Sequence, residues 1–374
     1  MKVLFLTNLP SPYRVDFFNE LGKQCDLTVV FEKKFSAERE KTWQKFSFEH
    51  FQGYFLKGIS TGVDSAFSFG VLKFLKNQSY DFIICANFST LTGLLAVHYM
   101  KRHKIPYWLE TDGGSPKGGN GFKEKLKRWV VSGAAGYFST SRENDNYFLA
   151  YGAKKECIFR YPFTSLFQKD LLCVVPNGAE KQDLRKELKM KESFIVLSVG
   201  RFTYLNGYGK GYDVLLKAAK SLPKEIGWYI IGGKPTAEFA TMKREGELDN
   251  VHFVDFKQKE ELKKYYRAAD LFALMTVGEA WGLVINEAMA CGLPVITTER
   301  CIAGTELVHN GETGYLLSVG DNNGLATSVY QMLQDQISLQ KMGLNALKTI
   351  AGYTFESMAK THIEVFKKIG EKQA

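Results

Sequence analysis

Residues 271–295 read LFALMTVGEAWGLVINEAMACGLPV. Leu271–Leu274 is a short apolar run, the pattern of a strand covered on both faces. Leu283–Ala290 has the length and composition of a buried helix, and Gly292 closes it, as glycine commonly does. Pro294–Thr297 is again apolar. Strand, loop, helix and strand in succession form a βαβ unit, and the two strands of such a unit run parallel.

The alternation extends in both directions. Upstream, Phe194–Val199, Trp228–Ile231 and Val251–Val254 read as strands, with Tyr212–Ser221 helical between the first two. Downstream, Tyr315–Leu317 is a short strand, and Leu325–Leu333, Leu339–Thr349 and Phe355–Ile369 have helical spacing. An earlier series begins at Val3–Leu6 and Val15–Gly22. It continues through Leu27–Phe31, Asp81–Ala86, Thr90–Arg102, Ile105–Leu109, Lys123–Ser132, Gly136–Ser139 and Arg142–Leu149. Between the two series lies Pro176-Asn177-Gly178, strong turn chemistry, followed by the charged stretch Glu180–Glu192. A chain of 374 residues exceeds what one core usually serves. The expectation is an α/β protein of two Rossmann-like, doubly wound lobes facing a cleft. The domains are residues 1–178, 179–352 and a terminal segment 353–374. Ligands of such sheets lie outside the C-terminal strand ends, so the loops after Leu6, Leu109, Val199, Ile231, Val254 and Leu274 are the ones to search.

Bulk composition narrows the function classes. With 45% hydrophobic and 24% charged residues the chain is an ordinary globular one. Its net charge of +9 admits nucleic acid, an anionic membrane surface or phosphorylated small molecules as partners. The six cysteines show no C-x-x-C pair, which removes zinc and thioredoxin-like sites and fits buried free thiols in a reducing compartment. Thr7 and Asn8 interrupt the first apolar run too early for a signal peptide, and no stretch approaches a membrane span. The expected location is the cytoplasm, with any membrane contact peripheral.

Within the opening stretch, Glu279 and Glu287 stand eight residues apart, one in the loop before the helix and one inside it. Gly282 permits a close turn, and the first-turn amides at Leu283 and Val284 present the positive helix end to an anion such as a diphosphate. Glu287, one turn on, can accept from two vicinal hydroxyls, as a ribose offers. The plainer alternative is two solvated glutamates on an amphipathic helix. Arg201 and Lys210 both follow the Phe194–Val199 strand. They suit stabilisation of a departing diphosphate, the guanidinium as a planar fork and the ammonium as a point charge; two surface cations are the alternative. Gly207-Tyr-Gly-Lys-Gly211 lacks the G-x-G-x-x-G spacing of a nicotinamide-binding turn.

The 271–295 stretch resembles the E-x7-E signature of family-4 retaining glycosyltransferases. The resemblance extends to Val199-Gly-Arg-Phe, to Lys210-Gly-Tyr-Asp-Val-Leu-Leu-Lys-Ala-Ala and to Gly311-Glu-Thr-Gly-Tyr-Leu-Leu. It implies a GT-B fold whose C-terminal helix crosses back to the first lobe. It also implies transfer of a hexose or N-acetylhexosamine from a nucleotide-diphosphate sugar to a glycan or lipid-linked hydroxyl. A UDP-sugar is favoured over GDP-mannose, with retention and with neither metal nor cofactor. By the same resemblance Arg201 and Lys210 hold the donor diphosphate. Glu279, with Ala280, Trp281 and Gly282, meets the transferred sugar, Glu287 holds the ribose, and Val254-Asp255-Phe256 lies against the nucleobase. The opening Pro12-Tyr13-Arg14 is similar to members acting in capsule and exopolysaccharide synthesis, which marks Tyr13 and Arg14 for the acceptor. Where many members carry a histidine, this chain has Glu110-Thr-Asp112. Asp112 is the candidate for orienting the acceptor hydroxyl or taking its proton, and a turn role for it is equally open.

Two rival functions remain: a nucleotide-sugar epimerase of the same fold, and a two-lobed sugar-binding protein without turnover. Phe122–Val131 interleaves Lys123, Lys125, Lys127 and Arg128 with Phe122, Leu126 and Trp129. That suits an anionic lipid surface or simply a solvated helix over a core. Phe35–Phe55, with Lys41, Trp43 and Lys45, carries similar chemistry. No nucleic-acid-binding pattern accompanies these residues.

Overall fold

The computed structural model describes residues 1–35, 46–76, 79–114, 116, 119 and 121–373. Lys41, Trp43 and Lys45 lie outside the described residues. The chain forms two compact units, Met1–Thr164 with Tyr353–Ala374, and Ser165–Gly352.

In the first unit the strands are β1 (Lys2–Thr7), β2 (Asp26–Phe31), β3 (Gln52–Phe55), β4 (Ile59–Ser60), β5 (Ala66–Phe67), β6 (Phe82–Cys85), β7 (Trp108–Thr111), β8 (Gly136–Ser139) and β9 (Ile158–Arg160). The helices are α1 (Pro12–Gly22), α2 (Val71–Lys76), α3 (Leu91–Arg102), α4 (Phe122–Val131) and α5 (Arg142–Ala150). Seven strands form one sheet in the order β3-β2-β1-β6-β7-β8-β9, every pair parallel. β4 and β5 make a separate antiparallel pair. Side chains alternate across the sheet. Leu4 and Leu6 face one core with Val30, Ile83, Leu109 and the Ala96, Val97 and Met100 stripe of α3. Phe5 points the other way, its ring 4.8 Å from Phe18 of α1.

The second unit contains α6 (Gly178–Glu187), β10 (Phe194–Val199), α7 (Tyr212–Lys220), β11 (Ile226–Ile231), α8 (Ala237–Glu245), β12 (Val251–Val254), α9 (Lys259–Ala268), β13 (Leu271–Leu274), α10 (Leu283–Ala290), β14 (Val295–Thr298), α11 (Ile302–Leu307), β15 (Gly314–Leu317), α12 (Asn322–Gln334) and α13 (Gln336–Ile350). Its six-stranded sheet runs β12-β11-β10-β13-β14-β15, again all parallel. Every residue of β10, β11 and β13 is buried, as a sheet covered by helices on both faces requires. Val196, Trp228, Ile230, Leu271 and Ala273 pack one face against Val214, Leu215 and Ala218 of α7 and Leu325 and Val329 of α12.

The final helix, α14 (Phe355–Gln373), belongs to the first unit, as the resemblance implied. Phe366 stacks on Phe82 with ring centroids 4.5 Å apart. His362 stacks on Phe138 at 4.1 Å.

The boundary falls at Thr164, not at Gly178. Pro176-Asn177-Gly178 is turn chemistry, but it starts a helix: the Asn177 side chain accepts from the Glu180 amide at 3.0 Å and caps α6. The preceding segment is fastened to the second unit. Leu172 N donates to Ala290 O at 2.9 Å, and Lys259 Nζ meets Asp170 Oδ2 at 2.8 Å.

One glycine decides how α7 leaves its loop. Gly211 has φ +70°, and a Cβ there would lie 1.9 Å from the Met275 carbonyl oxygen. Any side chain meets both a strained backbone and a fixed wall. Gly211→Ala is expected to destabilise the second unit by more than about 1 kcal/mol in urea melts. Gly178→Ala, where a Cβ meets nothing within 4 Å, is expected to be neutral or mildly stabilising.

Candidate functional site

The order of the second sheet reverses between β10 and β13, so the loops leaving those strands turn to opposite sides and open a crevice at their C-terminal ends. Arg201, exposed, follows Gly200 directly after β10. Phe202 then dives into the core, its ring 4.7 Å from Tyr212. Leu205, Asn206 and Gly207 take left-handed dihedrals, with φ of 46°, 53° and 94°. The loop thereby doubles back and delivers Lys210 to the β13 loop.

There the Lys210 ammonium forms an ion pair with Glu279 Oε2. Both side chains are mostly buried. The surrounding backbone is pinned: Thr276 Oγ1 donates to Gly209 O at 2.8 Å, Val277 N to the same oxygen at 3.2 Å, and Tyr204 Oη to Gly278 O at 3.2 Å. The Tyr204 ring lies 5.5 Å from the Lys210 ammonium. Glu279 N donates to Arg300 O at 3.0 Å, which fixes the other side of the loop.

Gly282 caps α10 at φ +108°, and a Cβ there would stand 2.8 Å from Cys301 Sγ. The amides of Leu283 and Val284 open the helix, where no intrahelical acceptor exists for them. Ala280 is exposed. Trp281 is only 3% exposed, and its indole N–H donates to Asn286 Oδ1 at 2.8 Å. Its carbonyl already accepts from Ala303 N. Its indole therefore serves as a post under the loop. Burial pushes the nearby Cys301 thiol up to about 12, so it carries no thiolate at neutral pH.

Glu287 sits deeper on α10 while keeping part of its surface. Its Oε1 accepts from Ser165 Oγ at 2.9 Å and its Oε2 from Tyr266 Oη at 3.0 Å. Burial raises its carboxyl above the usual range, and the two hydroxyls oppose that shift. Val254 ends β12 half-buried, and Asp255 and Phe256 follow it exposed at the edge of the sheet.

The first unit gathers a second set at the ends of β1 and β7. Tyr13 Oη is 3.4 Å from Asp112 Oδ2, and Arg14 Nη2 is 3.5 Å from the same oxygen. Asp112 keeps 39% of its side chain exposed. Arg14 does not present its donors at the surface. It is 5% exposed and paired through Nη1 with Glu110 Oε1. Instead of a direct acceptor contact, it provides the internal counter-charge that holds Asp112. Glu110 is sealed completely, and its other oxygen lies 3.0 Å from His362 Nε2. His362 Nδ1 faces Met358 O at 2.8 Å. Both ring nitrogens thus face oxygen atoms, which fixes the plane of the ring. Burial alone would raise the Glu110 carboxyl, but Arg14 and His362 hold it below the usual range. The Tyr161 hydroxyl lies buried beside this cluster without a well-formed hydrogen bond, and burial keeps it protonated far above neutral pH.

The structure thus brings together Lys210 with Glu279, and Tyr13 and Arg14 with Asp112. Sequence reasoning passed over Ser165, Tyr204, Tyr266 and His362, none of which stands in a motif. It also passed over Glu110, although it quoted that residue. Among the described residues no group of three or more His, Cys, Asp or Glu side chains is placed to hold a metal ion.

Residues 180–349 match the family model of glycosyl transferases group 1. The D-inositol 3-phosphate glycosyltransferase of Corynebacterium diphtheriae is 33% identical over 162 residues, which is 40% of this chain and 38% of that protein. The amylovoran biosynthesis glycosyltransferase AmsK of Erwinia amylovora is 32% identical over 178 residues, 45% of this chain and 42% of that one. The chain spans less than half the length of these relatives. The crystal structure of HepE from Anabaena in complex with UDP and glucose superposes with TM-score 0.75 at 20% identity, over 98% of this chain and 100% of that one. The fold is GT-B. The matched residues 180–349 lie wholly within the second unit, and it is that part of the chain that is similar to glycosyl transferases group 1.

The sealed GT-B cluster in the first unit has a pH signature. Glu110 has a depressed folded value, so its contribution to stability is present above the unfolded value near 4.3. That contribution is lost as pH falls through the lower folded value. Glu110→Gln is expected to destabilise the first unit by about 3–5 kcal/mol at pH 7, because the buried Arg14 guanidinium loses its sealed partner and keeps only the longer contact to partly exposed Asp112. The gap to the wild type should close as the pH falls below the folded value, measured by thermal melts across acid pH.

Proposed function

We propose that the protein transfers a hexose or N-acetylhexosamine from a nucleotide-diphosphate sugar to a hydroxyl of a glycan or lipid-linked acceptor, with retention and without a metal. UDP-sugars are the favoured donors and GDP-mannose the competing one. The observation that carries this reading is the Lys210–Glu279 pair, held at the reversal point of the second sheet beside the opening turn of α10.

In this reading the diphosphate lies on the first-turn amides of Leu283 and Val284, with Lys210 and Arg201 as its cations. Charge grows on the phosphate as the anomeric C–O bond lengthens. Fixed cations and helix-end dipoles are already aimed at that charge, so the barrier falls without reorganisation. Glu279 accepts from the sugar's hydroxyls and, through its pairing, holds the Lys210 ammonium in place before the donor arrives. Glu287 takes the ribose, and exposed Phe256 offers a face to the base. The acceptor oxygen bonds to the anomeric carbon on the side the phosphate leaves, and its proton passes to the departing phosphate oxygen. Asp112, tethered by Tyr13 and Arg14, orients that hydroxyl.

Thermal stabilisation by UDP, GDP and ADP tests the donor assignment, since a ligand bound only by the folded state adds about 2.7 kcal/mol at a hundred times its Kd. A shift with one nucleotide, unchanged by magnesium or EDTA and lost in Lys210→Met, is expected. Glu279→Gln should keep most of that shift while kcat for sugar transfer falls by about a hundredfold or more. If no nucleotide shifts the melting temperature, the donor reading fails. Conversion of the nucleotide sugar without any acceptor would replace it with an epimerase.

We place the protein in the cytoplasm at an anionic membrane face. Six free cysteines fit the compartment. Among the described residues no helix is long and apolar enough to cross a membrane. α4 buries only Val130 and Val131. Phe122 is 81% exposed and Trp129 36% exposed, with Lys125 between them on one helical stripe, and Lys101 lies 4.6 Å over the Trp129 ring. The wild type should co-sediment with phosphatidylglycerol vesicles at low salt and be released by high salt. Phe122→Ser with Lys125→Glu should abolish the binding. Equal sedimentation of the two proteins would remove α4 from the membrane.

A further inference from the structure

We infer that Ser165 and Tyr266 are positioning residues that orient the Glu287 carboxylate for a vicinal diol. The inference rests on the donor reading above and names the part of the site it leaves undescribed.

An ionised carboxylate offers about four lone-pair positions. Here each oxygen spends one on a protein hydroxyl, Ser165 Oγ at 2.9 Å and Tyr266 Oη at 3.0 Å. Each oxygen therefore retains one position, which matches two adjacent hydroxyls of a ribose. The two donors come from different directions. Ser165 is the first residue of the second unit. Tyr266 lies on α9, 2% exposed, its ring 5.9 Å from Phe272 of the central strand β13. Two fixed donors on opposite oxygens stop the carboxylate from rotating about its Cγ–Cδ bond, so the remaining lone pairs keep one orientation.

They also work against the effect of burial on its charge. Burial favours the neutral acid, which would turn one oxygen into a donor and spoil the match. Hydrogen bonds from Ser165 and Tyr266 favour the anion. The other charged groups bearing on Glu287 oppose each other. Lys259 on α9 favours the anion and Asp170 disfavours it. Those two are themselves paired at 2.8 Å, with Lys263 4.0 Å from the same aspartate. The neighbouring Cys291 thiol is pushed up to about 12 by burial and stays neutral. The two hydroxyls are the contacts that act on Glu287 directly.

The test compares UDP with 2′-deoxy-UDP, and GDP and ADP with their deoxy counterparts, by calorimetry on the full chain from pH 5 to pH 8. The wild type should prefer the ribonucleotide by about tenfold, roughly 1.4 kcal/mol. In Tyr266→Phe and Ser165→Ala the preference should shrink toward unity, with a melting temperature close to wild type without ligand. The acid limb should move as well. Binding needs the anion and is lost as pH falls through the Glu287 folded value. Each variant removes a bond that lowers that value, so its limb should lie at higher pH than the wild type's. If the wild type binds a nucleotide without preferring ribose, the ribose assignment of Glu287 falls, and this inference with it. If the wild type prefers ribose and both variants keep the same preference and acid limb, the inference alone is overturned. Should Tyr266→Phe fold poorly, Ser165→Ala, at a half-buried position, carries the comparison by itself.

Discussion

The Glu110 carboxylate has no access to water, and much of the first unit is arranged around that constraint. A charge so placed costs several kcal/mol unless it is matched and hydrogen-bonded. The cluster joins three distant places in the chain: Arg14 on α1, Glu110 itself on β7, and His362 on α14. The His362 ring is walled by Phe17, Phe138 and Tyr161, with centroids 5.0, 4.1 and 4.9 Å away. This is why the last helix, which follows the second unit in the sequence, packs on the first. Hydrophobic contact between Phe366 and Phe82 supplies adhesion without direction. The ion cluster supplies a register that only one placement of α14 satisfies.

The second unit depends on a different constraint, the close approach of two loops. β10 and β13 are neighbours, yet the chain leaves them toward opposite sides. The loops are reunited because Gly211 admits the Met275 carbonyl at a distance no side chain allows, and because Gly209 O accepts from both Thr276 and Val277. Lys210 lies between those two glycines. Its meeting with Glu279 follows from backbone geometry, and the ion pair then adds to a contact already made.

The α/β class, the two series of parallel strands and the return of the last helix were legible because they rest on long apolar runs and a motif. The strands that escaped, β3, β4, β5 and β9, are short edge or hairpin pieces, half-exposed where the burial pattern that marks a strand fades. The domain boundary escaped for a related reason. Asn177 carries the same chemistry as a turn residue and as a helix cap, and only tertiary contact tells them apart. Glu279, Lys210, Tyr13 and Asp112 were legible by motif or resemblance. The groups that govern them were not. His362 is separated by 252 residues from its carboxylate partner, and Ser165 by 122 from Glu287. Nothing local in the sequence records such pairings.

Four carboxylates in this chain carry the same functional group and differ only in what surrounds it. Glu110 has Arg14 on one oxygen, His362 on the other and no exposure, so no ligand can reach it. Asp112 is tethered by the same arginine from the outside, with 39% of its side chain open. It can therefore meet a hydroxyl without losing its position. Glu279 has a single cation and a quarter of its side chain exposed. Its charge is neutralised enough to lie beside an incoming diphosphate, yet it remains able to accept from a sugar. Glu287 accepts its hydrogen bonds from two neutral hydroxyls, Ser165 and Tyr266, not from a cation. A neutral hydroxyl holds a carboxylate in place without consuming its charge, whereas a lysine there would compete with the weak donors of a ribose. The progression from sealed ion cluster to hydroxyl-held anion thus separates a carboxylate that builds the fold from those that remain free to bind.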